Sequence, residues 1–509
     1  MTVQDQPSLS AAAAARDRGD LPGAERIAKA LLAVQPGDIE ALCILAEAQD
    51  RQKAIQDYRV TLTRLMTLAP SRITPARYRL LAKAQIHEGA SAAAKATLVK
   101  ALSAHPGDLD LHIMLAGLAG APAEVADALE AVLPVFAGDD IATASLLKVI
   151  TASRAKANRA ARGLPTDSVS WEDASTWADP EGLARVRQTL AAEMKRSQRG
   201  ELVLDAACLA IADRNWDYCD KLLQLVRDYQ RGTFADCTAF GPEFHAELDR
   251  FDLAATSALL PPVERILNPP HQSGETMLLA SDPNYFERFT LPFLATLERM
   301  KIPADAQVHI MGGDLAAWYG MAARLDKFKH VRVGLSAEDS GPFAVGTDNI
   351  RLYCHAIRFV RLYQEVAYKQ RPTWVFDVDV FLEKDPRPLL VRLQEFDMSF
   401  RVNPYQLWPP GRVAGNLIGI APTPLGLEYA RRVAAYILYW KQVGTWSFGV
   451  DQVALDSAYV HMDRVGQAPK TYFQGPADAA NGATRDCIFY FPTGANKYIA
   501  ADAQAASSA

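Results

Sequence analysis

The sequence predicts a multidomain chain: an all-α, repeat-built N-terminal region followed by an α/β C-terminal domain. Three observations carry this. Up to about Phe136 the chain is rich in Ala and Leu at helical spacing, and punctuation recurs at Pro36, Pro70 and Pro106, at intervals of 34 and 36 residues. After Pro269-Pro270, short apolar runs alternate with helical stretches, which implies a parallel sheet with helices on both faces. Within that second pattern, Thr373–Phe381 (TWVFDVDVF) starts apolar on both faces and then carries two carboxylates, Asp377 and Asp379.

At 509 residues the chain calls for two or three domains. With 49% hydrophobic and 22% charged residues it can bury a sizeable core, which argues against wholesale disorder. A net charge of −5 leaves no electrostatic footprint for nucleic acid. The six cysteines are scattered without a CxxC pair, so neither a disulfide framework nor a structural zinc site is expected. The N-terminus lacks the basic start of a signal peptide, and no window holds eighteen uninterrupted apolar residues. The expectation is a cytoplasmic protein with no transmembrane segment.

Residues 1–140 form the first region. A period near 34 is that of tetratricopeptide helix pairs, and the small residues Ala82, Ala94 and Ala101 before Pro106 resemble that pattern, letting two helices cross closely. The first unit matches through Ala12, Gly19 and Ala24, with Leu31 at a position for a small residue. The middle unit departs more, with Tyr58 at a position for Ala. A solenoid of this kind offers a groove for a peptide or another protein; oligomer contacts are the plainer alternative. Residues 141–268 read as a helical linker or cap, with helices at Ile141–Leu164, Glu181–Arg199, Leu202–Ala212 and Trp216–Tyr229 and a polar loop at Thr166–Pro180.

Residues 269–509 form the α/β domain. Thr276–Ser281, Gln307–Met311 and His330–Leu335 read as strands; Tyr285–Met300, Leu315–Leu325 and Asn349–Tyr368 read as helices. In such sheets ligands sit beyond the carboxyl ends of the strands, and here Asp282, Asp377 and Asp379 come to that edge. Two carboxylates brought together repel, and a divalent cation that also holds phosphate oxygens relieves the repulsion. Asp-x-Asp alone is a short motif. It is joined by Ser281–Tyr285 (SDPNY), by Arg358 on the preceding helix, by Gly415–Gly419 (GNLIG), by Trp446–Leu455 (WSFGVDQVAL) and by Phe491–Lys497 (FPTGANK). In this order, over about Thr276 to Ala500, the pieces resemble GT-A glycosyltransferases of the family 8 type.

That resemblance implies a nucleotide-diphospho-sugar transferase fold, retention of anomeric configuration and a UDP-sugar donor. It also implies roles: Asp377 and Asp379 for Mn²⁺ or Mg²⁺, Asp282 and Tyr285 for base and ribose, and Asn416 for sugar hydroxyls. Asp451 and Gln452 would bind or orient the transferring sugar, and Lys497 would offset diphosphate charge. Arg358 would pair with Asp377, Asp379 or a phosphate. Each has a plainer reading: solvated carboxylates opening a loop, an ordinary Asp-Pro-Asn turn, a surface ion pair. The chain departs from the family at Phe491, where the third metal ligand, a His, belongs. The metal site is then weaker, or takes a ligand from elsewhere, or is completed by phosphate and water. Tyr405, Trp408, Pro409 and Pro410 offer an apolar acceptor wall, whereas Tyr429, Tyr436, Tyr439 and Trp440 read as core and His245 and His461 take no role.

The expectation is a metal-dependent hexosyltransferase acting on an acceptor, a protein or a glycan, brought by the helical repeats. The alternative is a repeat-based interaction scaffold whose nucleotide-sugar domain is silent. A nucleotidyltransferase is a third reading, but it would bring a basic Gly-rich phosphate loop after the first strand, and none is visible.

Overall fold

Asp38 and Asp108 each end a Pro-Gly-Asp triplet, and each caps the helix that follows. Their Oδ1 atoms accept from the backbone N–H of Ala41 and Leu111, both at 3.0 Å. The recurring punctuation is therefore a recurring helix start. The structure, a computed structural model, describes residues 7–52, 55–87, 89–136, 138–161, 203, 206–207, 210, 215–229, 234–341, 347–403, 409–475, 477–481 and 487–492. The chain divides into two compact units, Met1–Ala157 and Asn158–Ala509.

The first unit is helical throughout its described length: α1 Leu9–Asp17, α2 Leu21–Val34, α3 Ile39–Gln52, α4 Ile55–Leu68, α5 Pro75–His87, α6 Ser91–Ala104, α7 Leu109–Gly117, α8 Pro122–Glu130 and α9 Asp140–Ala161. Ala12, Ala24, Ala82, Ala94 and Ala101 are all fully buried, as small residues at helix crossings must be. The repeat also shows in a polar pair. Thr61 Oγ1 donates to Gln49 Oε1 at 2.7 Å, and 36 residues later Thr97 donates to Gln85 at 2.8 Å. Tyr58 fills its alanine position from inside, 2% exposed, and burial pushes its phenol up to about 12.

Residues of the expected middle region, 141–268, fall on both sides of this division. Glu181–Arg199 and most of Leu202–Ala212 lie outside the described residues. From α10 (Trp216–Tyr229) onward the chain belongs to the second unit: Trp216, Phe240 and Leu248 share one apolar core with Tyr429, Tyr436 and Trp440. Helices α11 (Pro242–Arg250) and α12 (Leu253–Ser257) precede the sheet.

The strands are β1 Glu264–Leu267, β2 Thr276–Ser281, β3 Ala304–Met311, β4 Val331–Glu338, β5 Thr373–Phe376, β6 Phe381–Leu382, β7 Met398–Val402, β8 Val413–Ile420, β9 Thr471–Phe473, β10 Ala479–Asn481 and β11 Phe489–Phe491. The main sheet has order β1-β4-β3-β2-β5-β8-β7-β9, and β10-β11-β6 form a small second sheet. β4, β3, β2 and β5 give the expected parallel array, and β7 and β9 also pair in parallel; β8 runs antiparallel to β5, β7 to β8 and β1 to β4. Helices α13 (Leu291–Arg299), α14 (Leu315–Leu325), α15 (Thr347–Lys369), α16 (Pro424–Val443) and α17 (Val450–Arg464) complete the unit. The expected helix Tyr285–Met300 is broken by a wide turn at Phe286–Thr290, where Pro292 has no N–H to continue the regular ladder.

One expectation fails in detail. Thr373–Phe381 is not one strand: β5 ends at Phe376, and Asp377–Val380 turn away before β6. The pairing partner explains it. β8 supports β5 as far as Phe376 opposite Leu417; one further bond, Asp377 N–H to Asn416 O at 2.8 Å, ends the ladder. Before that break the reading of a doubly buried strand is right. Trp374 and Phe376 face one core and Val375 the other.

Close packing at β8 gives a stability prediction. Gly419 lies opposite Trp374, and a Cβ there would come 2.9 Å from both the indole ring and Leu393 Cδ1. Gly419→Ala is expected to cost about 1–3 kcal/mol, read as a lower urea midpoint with an unchanged slope.

A second prediction comes from His245 and His461, whose rings stack with centroids 4.1 Å apart. Burial holds His245 down at about 2 and His461 at about 4, with the other imidazole adding to the first and Arg432 to the second. Both rings are neutral in the folded chain, while the unfolded chain takes up protons below its ordinary histidine pKa of about 6.5. Stability is therefore full above that value and is lost as pH falls from about 6.5 toward 4. At pH 5 the loss is expected to be about 2 kcal/mol per ring. Urea titrations from pH 7.5 to pH 5 should show this fall, and His461→Gln should reduce it by about half, leaving the part due to His245.

Candidate functional site

The first crossover sends the chain from β2 outward to β3 and β4, and the next returns it to β5 on the other side of β2. Neighbouring strands β2 and β5 thus leave in opposite directions, and a crevice opens beyond their carboxyl ends. Asp282 follows β2 and Asp377 follows β5, so both acids lie at this edge. The β3 strand ends beside them at Gly312 and Gly313, with φ of +104° and +84°, a turn that L side chains resist. The same turn keeps a Cβ-free surface next to Pro283 and Ser340.

At the centre of this edge is Arg358 on α15, 4% exposed. Its Nη1 donates to Asp377 Oδ1 at 2.8 Å, and its Nη2 donates to the carbonyl of Gly415 at 3.0 Å. Asp451 Oδ2 stands 3.5 Å from the same Nη2. Burial alone would lower the guanidinium, but Asp377 and Asp451, joined by Asp379, hold it above its ordinary value. Arg358 is therefore a permanent buried cation shared between the end of β5 and the start of α17. Of the partners expected for Arg358, Asp377 is present, and the arginine is buried rather than part of a surface ion pair.

The structure brings together Arg358, Asp377, Gly415, Asp451 and Gln452, whose Cγ lies 3.4 Å from where a Cβ of Gly415 would be. Asn416 joins through its backbone carbonyl. Asp282 caps its own turn, accepting from Tyr285 N–H at 2.8 Å, which is the plainer of its two readings. Its charge nevertheless reaches the site. The Cys354 thiol, one turn before Arg358, is pushed up to about 12 by burial and then by Asp282 and Glu338. Tyr285 packs against a small cluster containing Phe289, Cys487 and Tyr490. Lys497, Tyr405 and Trp408 lie outside the described residues.

Sequence reading missed three supports. Cys354 shares the inward face of α15 with Arg358 at i,i+4 spacing, a signal that was available. Cys237 Sγ lies 3.3 Å from Ser447 Oγ, so the segment before α11 braces the loop that presents Asp451. Behind the edge, Glu338 accepts from Tyr353 Oη at 2.8 Å and from Arg361. Although burial pulls Glu338 up, His309, Arg361 and Tyr353 hold it below its usual value.

Asp377 and Asp379 are the carboxylates here that could hold a cation; hard oxygen ligands of this kind suit Mg²⁺ or Mn²⁺. Among the described residues no third His, Cys, Asp or Glu joins them. Phe491 is 5% exposed and belongs to the apolar core that includes Phe376 and Phe489, so no ligand comes from that position.

No protein-family model and no curated protein matches the chain. Similar solved structures fall into two kinds. The galactosyltransferase LgtC with donor and acceptor sugar analogues is 12% identical over 46% of this chain and 95% of its own, at a TM-score of 0.33. Mouse xyloside xylosyltransferase 1 is 10% identical over 43% and 96%, at 0.29. The MamA protein is 19% identical over 37% and 92%, at 0.27. What the chain does has to be read from its own residues. No helix among the described residues is long and apolar enough to cross a membrane.

Arg358→Met would leave Asp377 and Asp451 facing each other without their shared cation. Breaking a buried pair from one side costs about 3–5 kcal/mol, so the variant should melt well below the wild type. Arg358→Lys, which keeps the charge but not the fork, should fall between the two.

Proposed function

We propose that the second unit is a glycosyltransferase that moves a sugar from a nucleotide-sugar donor, a UDP-sugar, to an acceptor gathered by the N-terminal helices. One observation carries this reading. A buried arginine ties an acid of the Asp-x-Asp turn to the acid of the Asp-Gln helix start, at the crevice between β2 and β5. Sugar transfer needs a group that stabilises the departing diphosphate close to a group that orients the sugar, and here the two are mechanically coupled.

In this reading Asp377 and Asp379 hold Mn²⁺ or Mg²⁺, which supplies positive charge to the leaving nucleotide diphosphate. Asp451 and Gln452 orient the transferring sugar, Asn416 takes its hydroxyls, and Asp282 with Tyr285 borders the base and ribose. Lys497 adds charge to the diphosphate side. Arg358 is a positioning residue that fixes Asp377 and Asp451 relative to each other before substrate arrives.

The acceptor proposal rests on the first unit. A cavity of about 730 Å³ is lined there by Arg59, Val60, Thr63, Arg64 and Leu68, with Val60 65% exposed. Apolar side chains beside two arginines suit an extended peptide with acidic residues. The rival reading, a scaffold with a silent sugar-nucleotide domain, is favoured by the buried Phe491 in the place of a ligand.

Thermal unfolding with UDP-, GDP- and CMP-sugars, each with and without Mn²⁺, separates the two. The expected result is stabilisation by a UDP-sugar that requires the metal, disappears in Asp379→Asn, and is matched by about a hundredfold or greater loss of transfer or donor hydrolysis. Stabilisation without turnover by any donor and acceptor tried would favour the silent domain. An equal response from wild type and Asp379→Asn would remove the metal site.

A further inference from the structure

A second cavity of the α/β unit, of about 530 Å³, lies between α15, the β3–β4 face and the segment that follows α12. Its volume suits a small ligand rather than a few waters. Its walls include Pro261, Arg265, His309, Ser336, Arg361 and Glu365. Four of these polar residues are at least nine-tenths buried: His309 2%, Ser336 1%, Arg361 5% and Glu365 6% exposed. That is unusual for a gap between packed elements, which normally closes over apolar side chains.

The charges around this cavity do not cancel. Arg361 pairs with Glu338 and donates to Pro261 O at 3.1 Å and to Gln364 Oε1 at 2.7 Å. Arg265 donates to Glu365 Oε1 at 3.1 Å and lies over the Tyr368 ring at 4.3 Å. Lys369 Nζ is 2.9 Å from Glu365 Oε2, and its side chain is 5% exposed. Three cations thus share two carboxylates, and the neighbouring Asp305 is occupied by His271 and Arg371. Hydrogen bonding is incomplete as well, at two nitrogens and at Glu365 Oε2, which forms no hydrogen bond although Lys369 Nζ lies beside it. Arg361 Nε finds no acceptor, and His309 Nε2 forms no hydrogen bond, standing 3.5 Å from Glu338, while its Nδ1 is taken by Ser336 Oγ at 3.0 Å. The third cation, Arg265, is exposed, so the excess charge is not a buried one; it is the buried N–H groups without an acceptor that are costly unless an acceptor-rich anion accompanies them.

We propose that this cavity is a second binding site, for a small anion bearing carboxylate or phosphate oxygens, with Arg265 and Arg361 as its cationic walls. It is distinct from the Arg358 cluster and does not depend on the glycosyltransferase reading. Guanidinium groups are suited to both oxyanions through their planar fork.

The test is thermal unfolding of the full chain in a zwitterionic buffer with EDTA, titrating inorganic phosphate and citrate separately against chloride at matched ionic strength. A saturable rise in Tm with either one is expected, and which of the two produces it identifies the kind of oxyanion. Arg265→Gln should shift the half-saturating concentration upward about tenfold. Ala258→Phe, a change at an exposed residue on the cavity wall, should abolish the response with little effect on Tm in chloride. Asp379→Asn should leave the response intact, which separates this cavity from the site at the strand ends. No saturable rise with either anion would overturn the proposal. An undiminished rise in Ala258→Phe would overturn it as well, even where Arg265→Gln does not fold.

Discussion

A guanidinium with little access to water, held between two carboxylates from separate elements, is the constraint around which the α/β unit is arranged. Arg358 reaches Asp377 just past β5 and Asp451 at the start of α17, and it also holds the carbonyl of Gly415 in β8. Each contact joins one element to another, so a single side chain ties β5, β8, α15 and α17 together at this edge. Isolated, that charge would be expensive to bury; with two acids and a carbonyl it is tolerated, and geometry is gained in exchange. Arginine suits the task because its planar fork serves three acceptors at once, which an ammonium cannot do in fixed directions.

The surrounding packing keeps that side chain from relaxing. Gly419 admits the Trp374 indole against β8, and the segment before α11 is tied to α16 through Tyr436, to α17 through Ser457 and to the loop before Asp451 through Cys237 and Ser447. This explains why residues from Trp216 to Leu260, which look uninformative in sequence, pack into the α/β core. They carry no chemistry themselves, yet they brace the loop that presents Asp451.

Much of the fold was legible because its signals are local. Helix starts at Asp38 and Asp108, buried alanines at fixed spacing, and strands apolar on both faces all follow from short-range pattern. The end of β5 was not legible, because it depends on where β8 stops supporting it, some forty residues later. The antiparallel half of the sheet escaped for the same reason: alternation of strand and helix fixes neither direction nor order. At the site, the acids were readable from their types and their place after strands. Arg358 was singled out, but its burial was not, since a charged residue on a long helix is ordinarily at the surface. The network of His309, Glu338, Tyr353 and Arg361 was invisible, because its members are spread over three elements and carry no motif.

Charge at the strand edge bears on what the crevice can accept. Asp282, Asp377, Asp379 and Asp451 bring four carboxylates there, and Arg358 pairs with two of them, Asp377 and Asp451. A diphosphate added to such an edge would meet net repulsion, and its own desolvation would deepen the cost. For the donor proposed above, further positive charge has to arrive with the ligand or from the segment that contains Lys497. A divalent cation is the economical answer, since it binds carboxylate and phosphate oxygens together and brings two charges in one atom. The buried Phe491 sharpens this: with no imidazole to pre-assemble a cation site, metal and nucleotide would each supply what the other needs. Their binding would then be strongly cooperative.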